Sequence, residues 1–148
     1  MNIRKLGPAD DLEGAIHLLQ RFFREEGFTT AAGTIAANTR RMAGIETCGL
    51  FVAEDRGEAI GVATVSLEFG IEYGWSAEMG DLYIIPEWRG RGLARRLVVE
   101  IEAVLKARGA SGYQVTVTPY ASEQHDLAKF YARLGFGNEG RLVLFKEL

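Results

Sequence analysis

Between Asp81 and Arg96 an apolar strand, a turn holding two glycines and a helix follow one another: Asp81-Leu82-Tyr83-Ile84-Ile85-Pro86-Glu87-Trp88-Arg89-Gly90-Arg91-Gly92-Leu93-Ala94-Arg95-Arg96. No other stretch constrains the fold as strongly. Pro86 stops the strand, because proline cannot donate to a ladder. Leu93, Leu97, Ile101, Val104 and Leu105 recur at helical spacing, and Gly109 supplies a stop, so a helix is expected from Leu93 to Arg108. The start of such a helix carries unsatisfied N–H groups and a partial positive charge. Gly90 and Gly92 let a ligand approach the backbone. With Arg89, Arg91, Arg95 and Arg96 around the turn, the segment makes an anion site suited to a pyrophosphate.

Two familiar phosphate sites do not fit. No Gly-Lys-Ser/Thr follows the glycines, so this is not a Walker A loop. Arg95 stands where the dinucleotide-binding motif needs a third Gly or Ala, and the strand does not open a βαβ repeat. Charge also narrows the partners. The net charge is −3, which argues against a general nucleic-acid binder. Pro86 to Arg96 holds four arginines and one glutamate, +3, so the remainder carries −6. Gly57 to Trp88 has no Lys or Arg but holds Glu58, Glu68, Glu72, Glu78, Asp81 and Glu87. A cationic ligand beside an anionic one suits that arrangement.

The chain of 148 residues is one domain's worth, expected to span 1–148 with its own core. Cys48 is the single cysteine, so there is no internal disulfide. With His17 and His125 as the only histidines, no multi-Cys/His zinc site forms, and no metal is expected. No apolar run reaches membrane-spanning length, and Met1-Asn2-Ile3-Arg4-Lys5 lacks the apolar run of a signal peptide. The expectation is a cytoplasmic protein with neither membrane nor nucleic-acid partners.

The remaining pattern reads as a strand at Asn2–Leu6 and a helix started by Asp10 or Asp11 carrying Leu12, Ile16, Leu19, Phe22 and Phe23. A weaker helix follows at Thr30–Met42. Strands follow at Leu50–Ala53 and Ile60–Phe69 about an Asp55-Arg56-Gly57-Glu58 turn, then a loop Gly70–Trp75 and a strand Glu78–Ile85. Tyr113–Thr118 reads as a strand, Glu123–Leu134 as a helix and Arg141–Lys146 as a closing strand. The order β-α-α-β-β-β-α-β-α-β describes an α/β (α+β) fold. Its mixed, mostly antiparallel sheet would have six or seven strands flanked by about four helices.

Arg89-x-x-Gly92-x-Ala94, after Leu82-Tyr83-Ile84, resembles the Arg/Gln-x-x-Gly-x-Gly/Ala signature of the GCN5-related N-acetyltransferases. Phe130-Tyr131-Ala132-Arg133-Leu134-Gly135-Phe136 resembles the Phe-Tyr-x-x-x-Gly-Phe end of the family's second motif. The order and spacing agree along nearly the whole chain. The resemblance implies acetyl-CoA as co-substrate and acetyl transfer to an amine by direct attack in a ternary complex. Backbone groups of Leu82, Tyr83 and Ile84 would pair with the pantetheine arm, which requires Tyr113–Thr118 to splay away. Arg89, Gly90, Arg91, Gly92, Leu93, Ala94 and Arg95 would wrap the pyrophosphate, mainly through N–H groups, with Arg91, Arg95 or Arg96 reaching a further phosphate.

Tyr131 matches the family's frequent general acid, which would protonate the departing thiolate. An alkylammonium has no lone pair, so a base is also needed. Glu78, eleven residues before Arg89, resembles the position of the base in the histone-modifying members, and Asp81 is the second candidate. On an ideal strand the two face opposite ways, and a bulge would change that parity. Gln124 stands where many members have a CoA-contacting asparagine, so Gln124 or His125 would substitute. His17 reads as a structural or surface residue, and Cys48 has no activating base nearby.

The family leaves the acceptor open. Phe69, Glu72, Tyr73, Trp75 and Glu78 would form an aromatic, acidic cleft for a cationic small-molecule amine. The alternatives are a protein or peptide acceptor, a non-catalytic acyl-CoA sensor, and a phosphate- or RNA-binding module. A homodimer through the C-terminal strands is compatible with the sequence.

Overall fold

The computed structural model describes residues 1–148. The chain forms two compact units, Met1–Thr116 and Val117–Leu148. The first unit contains β1 (Asn2–Leu6), α1 (Glu13–Glu25), α2 (Ala32–Ala43), β2 (Cys48–Asp55), β3 (Glu58–Gly70), β4 (Gly74–Ile84), α3 (Leu93–Ala107) and β5 (Tyr113–Val115). A single 3-10 turn, Pro86–Trp88, follows β4. The second unit holds α4 (Pro119–His125) and α5 (Leu127–Arg133).

The sheet order is β1-β2-β3-β4-β5. The first four strands run antiparallel, and β5 joins β4 in parallel. Antiparallel neighbours need only short turns. Arg56 and Gly57, at φ 51° and 84°, give the β2–β3 hairpin its left-handed pair. The parallel step from β4 to β5 needs a crossover, which α3 supplies.

Alternation along the strands divides the core into two layers. Leu50, Val52, Val62 and Tyr83 pack with Ala15, Ile16, Leu18 and Leu19 of α1 and Ile35 of α2. The other face carries Phe51, Ala53 and Ala63 with Leu97 and Ile101 of α3, all essentially inaccessible. Gly61 lies on that second face. A Cβ there would meet the Leu97 side chain at 3.3 Å and that of Ile84 at 2.8 Å. Burying apolar area on both faces contributes about 25 cal/mol per Å².

At the start of α1 the Asp11 carboxylate accepts the Glu13 N–H at 3.0 Å. The Asp10 carboxylate accepts the Gly7 N–H at 2.7 Å and so shapes the turn before it.

The structure departs from the sequence reading in four places. The sheet has five strands, not six or seven. The expected loop Gly70–Trp75 is instead a tight turn within one long β3–β4 hairpin, paired down to Gly70 with Gly74. The expected helix Glu123–Leu134 is two short helices broken at Asp126, which sits at φ 49°. From Phe136 onward the chain is neither helix nor strand, so the closing strand Arg141–Lys146 does not form. A run of apolar residues is not enough for a strand, because each N–H and C=O also needs a neighbouring strand to bond. Leu142 and Leu144 stay exposed.

Candidate active site

The site is built on β4. Its register with β3 runs evenly from Gly70–Gly74 to Val65–Met79, skips Gly80, and resumes at Thr64–Asp81. Gly80 is therefore a β-bulge. A Cβ at this position would stand 3.1 Å from the Thr64 hydroxyl. Directly paired residues share a face, so Glu78 lies on the face of Ser66 and Asp81 on the face of Thr64. Ser66 and Thr64 are two residues apart and share a face. The bulge thus brings Glu78 and Asp81 to one side of the sheet, against the ideal-strand expectation. It is the side that packs against α1 and α2.

The two carboxylates have different surroundings. Glu78 is exposed and accepts from the Thr116 hydroxyl at 3.2 Å. Asp81 is half-buried and accepts from the Thr64 hydroxyl at 2.5 Å. Burial pushes the Asp81 carboxyl above the usual aspartate range, and the Thr64 hydrogen bond offsets this only in part. Asp81 also lines a cavity of about 100 Å³ under α1 and α2.

The same register separates residues that the sequence reading had grouped. Trp75 pairs with Phe69, and their rings meet edge to face at 5.4 Å. By alternation both lie on the α3 side, opposite Glu78. The expected cleft joining Phe69, Trp75 and Glu78 therefore does not form. Tyr73 and Glu72 lie in the hairpin turn, and both are exposed.

Past the bulge, β4 loses its neighbour. Pairing with β5 covers Ala77, Glu78 and Met79 and then ends. The Ile85 N–H donates to the Ile60 carbonyl at 3.1 Å. In an antiparallel ladder this directs Tyr83 and Ile85 toward β3, and Leu82 and Ile84 toward the open side. The open edge is the geometry that an added extended chain needs.

The turn after β4 ends at α3. Gly90 and Gly92 sit at φ 72° and 76°, a region that L side chains rarely adopt. Gly92 is the N-cap of α3 and supplies no side-chain cap, so the first helical N–H groups remain available. Arg91 and Arg95 are exposed, with the Arg91 guanidinium 5.1 Å from the centre of the Trp88 ring.

Arg89 points elsewhere. Its Nε donates to the Ile84 carbonyl at 2.9 Å, and its Nη2 to Glu25 at 3.0 Å. The Tyr83 hydroxyl also donates to Glu25, at 2.7 Å, and Arg21 donates to it at 3.1 Å. Burial works to raise the Glu25 carboxyl, but these donors outweigh it and hold the group below its ordinary value. Tyr83 is pushed up to about 12 by burial and by Glu25. The Arg89 side chain thus ties the turn to the end of α1. Sequence reasoning missed Glu25 and Arg21, because nothing local marks a contact spanning 64 residues.

In the second unit, the Thr118 hydroxyl accepts the Ala121 N–H at 3.2 Å and caps α4. Tyr131 lies between the rings of Phe130 and Phe136, at 5.0 and 5.3 Å. Burial raises its phenol to about 12. Gln124 and His125 are exposed at the end of α4. Cys48 is half-buried and pairs with Ser66, which stands between it and Glu78 across the sheet; His17 is exposed on α1.

Comparison with known proteins agrees with this architecture. Residues 12–136 match the model of the acetyltransferase (GNAT) family. An aminoglycoside N-acetyltransferase, AAC(6')-Iy, solved with CoA, is similar at 19% identity and TM-score 0.83, over 99% of this chain and 93% of that one. A protein from Bacillus halodurans C-125 described as a transcriptional regulator matches at 22% identity and TM-score 0.81, over 99% of both chains. The ribosomal-protein-alanine N-acetyltransferase of Brucella melitensis biovar Abortus 2308 matches at 14% and 0.79, over 99% of this chain and all of the other. At these identities the likeness establishes the fold. The family match spans most of the sequence and includes the turn at Arg89–Ala94 and the Tyr131 segment; the chain belongs to the GNAT acetyltransferase family.

Proposed function

We propose that this protein transfers the acetyl group of acetyl-CoA to the primary amine of a small cationic molecule, by direct attack. The observation that carries the reading is the bulge at Gly80. It sets two carboxylates beside a β4 edge that β5 leaves unpaired at Leu82 and Ile84, with the Ile84 carbonyl held by Arg89. Acetyl-CoA fits the order of features along the chain. The pyrophosphate would take the N–H groups at the start of α3, between Gly90 and Arg95. The pantetheine arm would pair with Leu82 and Ile84. Running back along β4, the arm would end with its thioester near Gly80.

The chemistry then follows from the two carboxylates. The acceptor arrives as an ammonium, with a pKa near 10 in water. Asp81 is the preferred base, because burial has already raised its carboxyl toward the range of a useful proton acceptor. It takes one proton from the ammonium, and the freed lone pair attacks the thioester carbonyl. Collapse of the tetrahedral intermediate breaks the C–S bond. Glu78, exposed and oriented by Thr116, takes the second proton, which the nitrogen still carries after the attack, and passes it to water.

Tyr131 as donor to the departing thiolate rests on the motif resemblance. At about 12, against roughly 8.5 for a thiol, donation is uphill by about 5 kcal/mol. Such a donor serves only when the proton moves as the C–S bond breaks.

The test is thiol release from acetyl-CoA with a panel of small amines and a lysine-containing peptide, alongside acetyl-CoA binding by calorimetry. Release with a small amine is the expected result. Release with the peptide alone would reassign the acceptor class. Binding without release from any amine would identify a sensor, and no binding would end the reading.

A further inference from the structure

We propose that Thr64 is the positioning residue of the base: its buried hydroxyl sits in the space left by Gly80, grips one oxygen of Asp81 and leaves the other for the acceptor's proton. The inference rests on the transferase reading above, with Asp81 as base, and adds the residue that prepares it.

Burial is the first argument. Thr64 is 3% exposed, and Val62, Ala63 and Val65 around it are buried as fully. A valine would fill such a place, whereas a hydroxyl there costs free energy unless it is bonded. Only two polar residues are buried to this degree, Thr39 and Thr64. The Thr39 hydroxyl donates to the Ile35 carbonyl of its own helix at 2.7 Å. Thr64 alone aims a buried hydroxyl at a titratable group, Asp81 Oδ2, at 2.5 Å. No other hydrogen bond reaches the Asp81 carboxylate, so Oδ1 is free to take a proton.

The bulge is the second argument. Thr64 pairs directly with Asp81, immediately past Gly80. The Gly80 backbone is not left-handed, so conformation alone does not demand a glycine there. A Cβ would crowd one atom, the Thr64 hydroxyl oxygen, at 3.1 Å. The missing side chain is therefore room for the hydroxyl.

The third argument is that no charge does the same for Asp81. Its face of the sheet carries Cys48, Glu78 and Tyr83. Glu25 stands at the Tyr83 hydroxyl with Arg21 and Arg89 bound to it. The helices add only neutral side chains to the cavity that Asp81 lines, among them Leu19, Phe23 and Asn38. None of these acts on the Asp81 carboxyl: burial raises it, and the Thr64 hydroxyl lowers it. A hydroxyl donor favours the charged form. Without it, Asp81 would hold its proton to a higher pH and lose its fixed orientation.

The experiment follows two readouts across pH. One is the Asp81 carboxyl by carbon-13 NMR, assigned by its loss in Asp81→Asn. The other is kcat/KM for thiol release with the panel amine of highest turnover. Thr64→Val should move the NMR titration and the acid limb up together by about one to two pH units, the worth of a hydrogen bond to a charged group. Plateau kcat should fall about tenfold as the carboxylate loses its orientation, with the acetyl-CoA KM unchanged. Thr64→Ser keeps the hydroxyl and should return both readouts close to wild type. Gly80→Ala keeps Thr64 but crowds its hydroxyl, and should move both readouts the same way by less. It serves as the second route if Thr64→Val folds poorly. If Thr64→Val left the titration and the limb unmoved, or Thr64→Ser shifted them as far as valine, the inference would be overturned. An inactive Asp81→Asn would in that case leave the transferase reading standing. An Asp81→Asn variant that kept full kcat would overturn the base assignment and this inference with it.

Discussion

From Glu78 to Asp81, β4 offers side chains; from Leu82 to Gly92, the same chain offers main-chain groups. The first stretch is paired on both sides up to Met79 and then bulges at Gly80. The second has an open edge and a turn whose glycines hold positive φ. Proton transfer needs a carboxylate in a defined setting, so burial and neighbours decide its value. Holding a pyrophosphate and an extended arm needs N–H and C=O groups, which every residue has, so conformation decides that site. Substitutions should therefore divide cleanly between the two stretches.

The largest expected effect lies at the first. Asp81→Asn should lower kcat by about 10²–10⁴-fold, the usual range for loss of a general base, with acetyl-CoA KM unchanged. Glu78→Gln should cost about tenfold or less on the same scale. If Glu78→Gln were the more damaging, the two roles would exchange. Stability separates this role from a structural one. The folded Asp81 carboxyl is raised, so the folded state binds a proton more readily than the unfolded chain. Its charge therefore costs stability as pH rises through that window, and the cost persists at neutral pH. Asp81→Asn should raise the melting temperature at pH 7, whereas a structural aspartate would lower it when replaced.

The contrast also explains what could be read in advance. The cofactor side was legible: Arg89, Gly90, Gly92 and the apolar stripe of α3 are local signals, and α3 falls within one residue of its expected bounds. The acceptor side was not. Whether Glu78 and Asp81 share a face depends on one unpaired residue; the isolated Gly80 is the signal that could have marked it, but a glycine in a strand does not by itself fix the register. The same parity removed Phe69 and Trp75 from the cleft. The final strand failed for a related reason, because the apolar run from Leu142 to Phe145 describes a strand but does not supply its neighbour.

The next effect lies at the second stretch. Gly92→Val places a β-branched residue at φ 76°, a strain of roughly 1–3 kcal/mol. If the turn relaxes to escape it, acetyl-CoA KM should rise about 10- to 100-fold while the acceptor KM holds. Calorimetric titration of acetyl-CoA checks the binding half. An unchanged affinity would mean that the turn does not hold the phosphates.

pH sharpens the comparison from the other direction. A base must be ionised, so activity should be present above the Asp81 pKa and lost as pH falls through it. Because burial raises that value, the acid limb of kcat/KM should lie above the ordinary aspartate value of about 3.9. In Asp81→Asn the limb should move or vanish. Acetyl-CoA binding should show no such limb, since the open edge and the turn use amides. A binding profile that followed the same limb would break the division between the two stretches.

The smallest effect belongs to Glu25, which joins the two regions from α1. Its carboxylate gathers donors from Tyr83, Arg89 and Arg21, and Arg89 in turn holds the Ile84 carbonyl on the open edge. Glu25→Gln keeps an acceptor for these donors, but Glu25→Ala removes it and frees Arg89. The alanine variant should raise acetyl-CoA KM a few-fold with kcat nearly unchanged, and the glutamine variant should restore most of the loss. The Arg89 and Arg21 ion pairs with Glu25 are all about a third exposed, and pairs of that kind contribute about 1 kcal/mol or less. The folded Glu25 carboxyl is depressed, so its stabilisation is fully present above the unfolded value of about 4.3 and fades as pH falls through the folded one. Melting temperatures of wild type and Glu25→Ala should therefore differ slightly at pH 7 and converge toward pH 3. If they stayed apart in acid, the helix end would be held by packing of Phe22 against Tyr83, whose rings lie 5.6 Å apart, and not by charge.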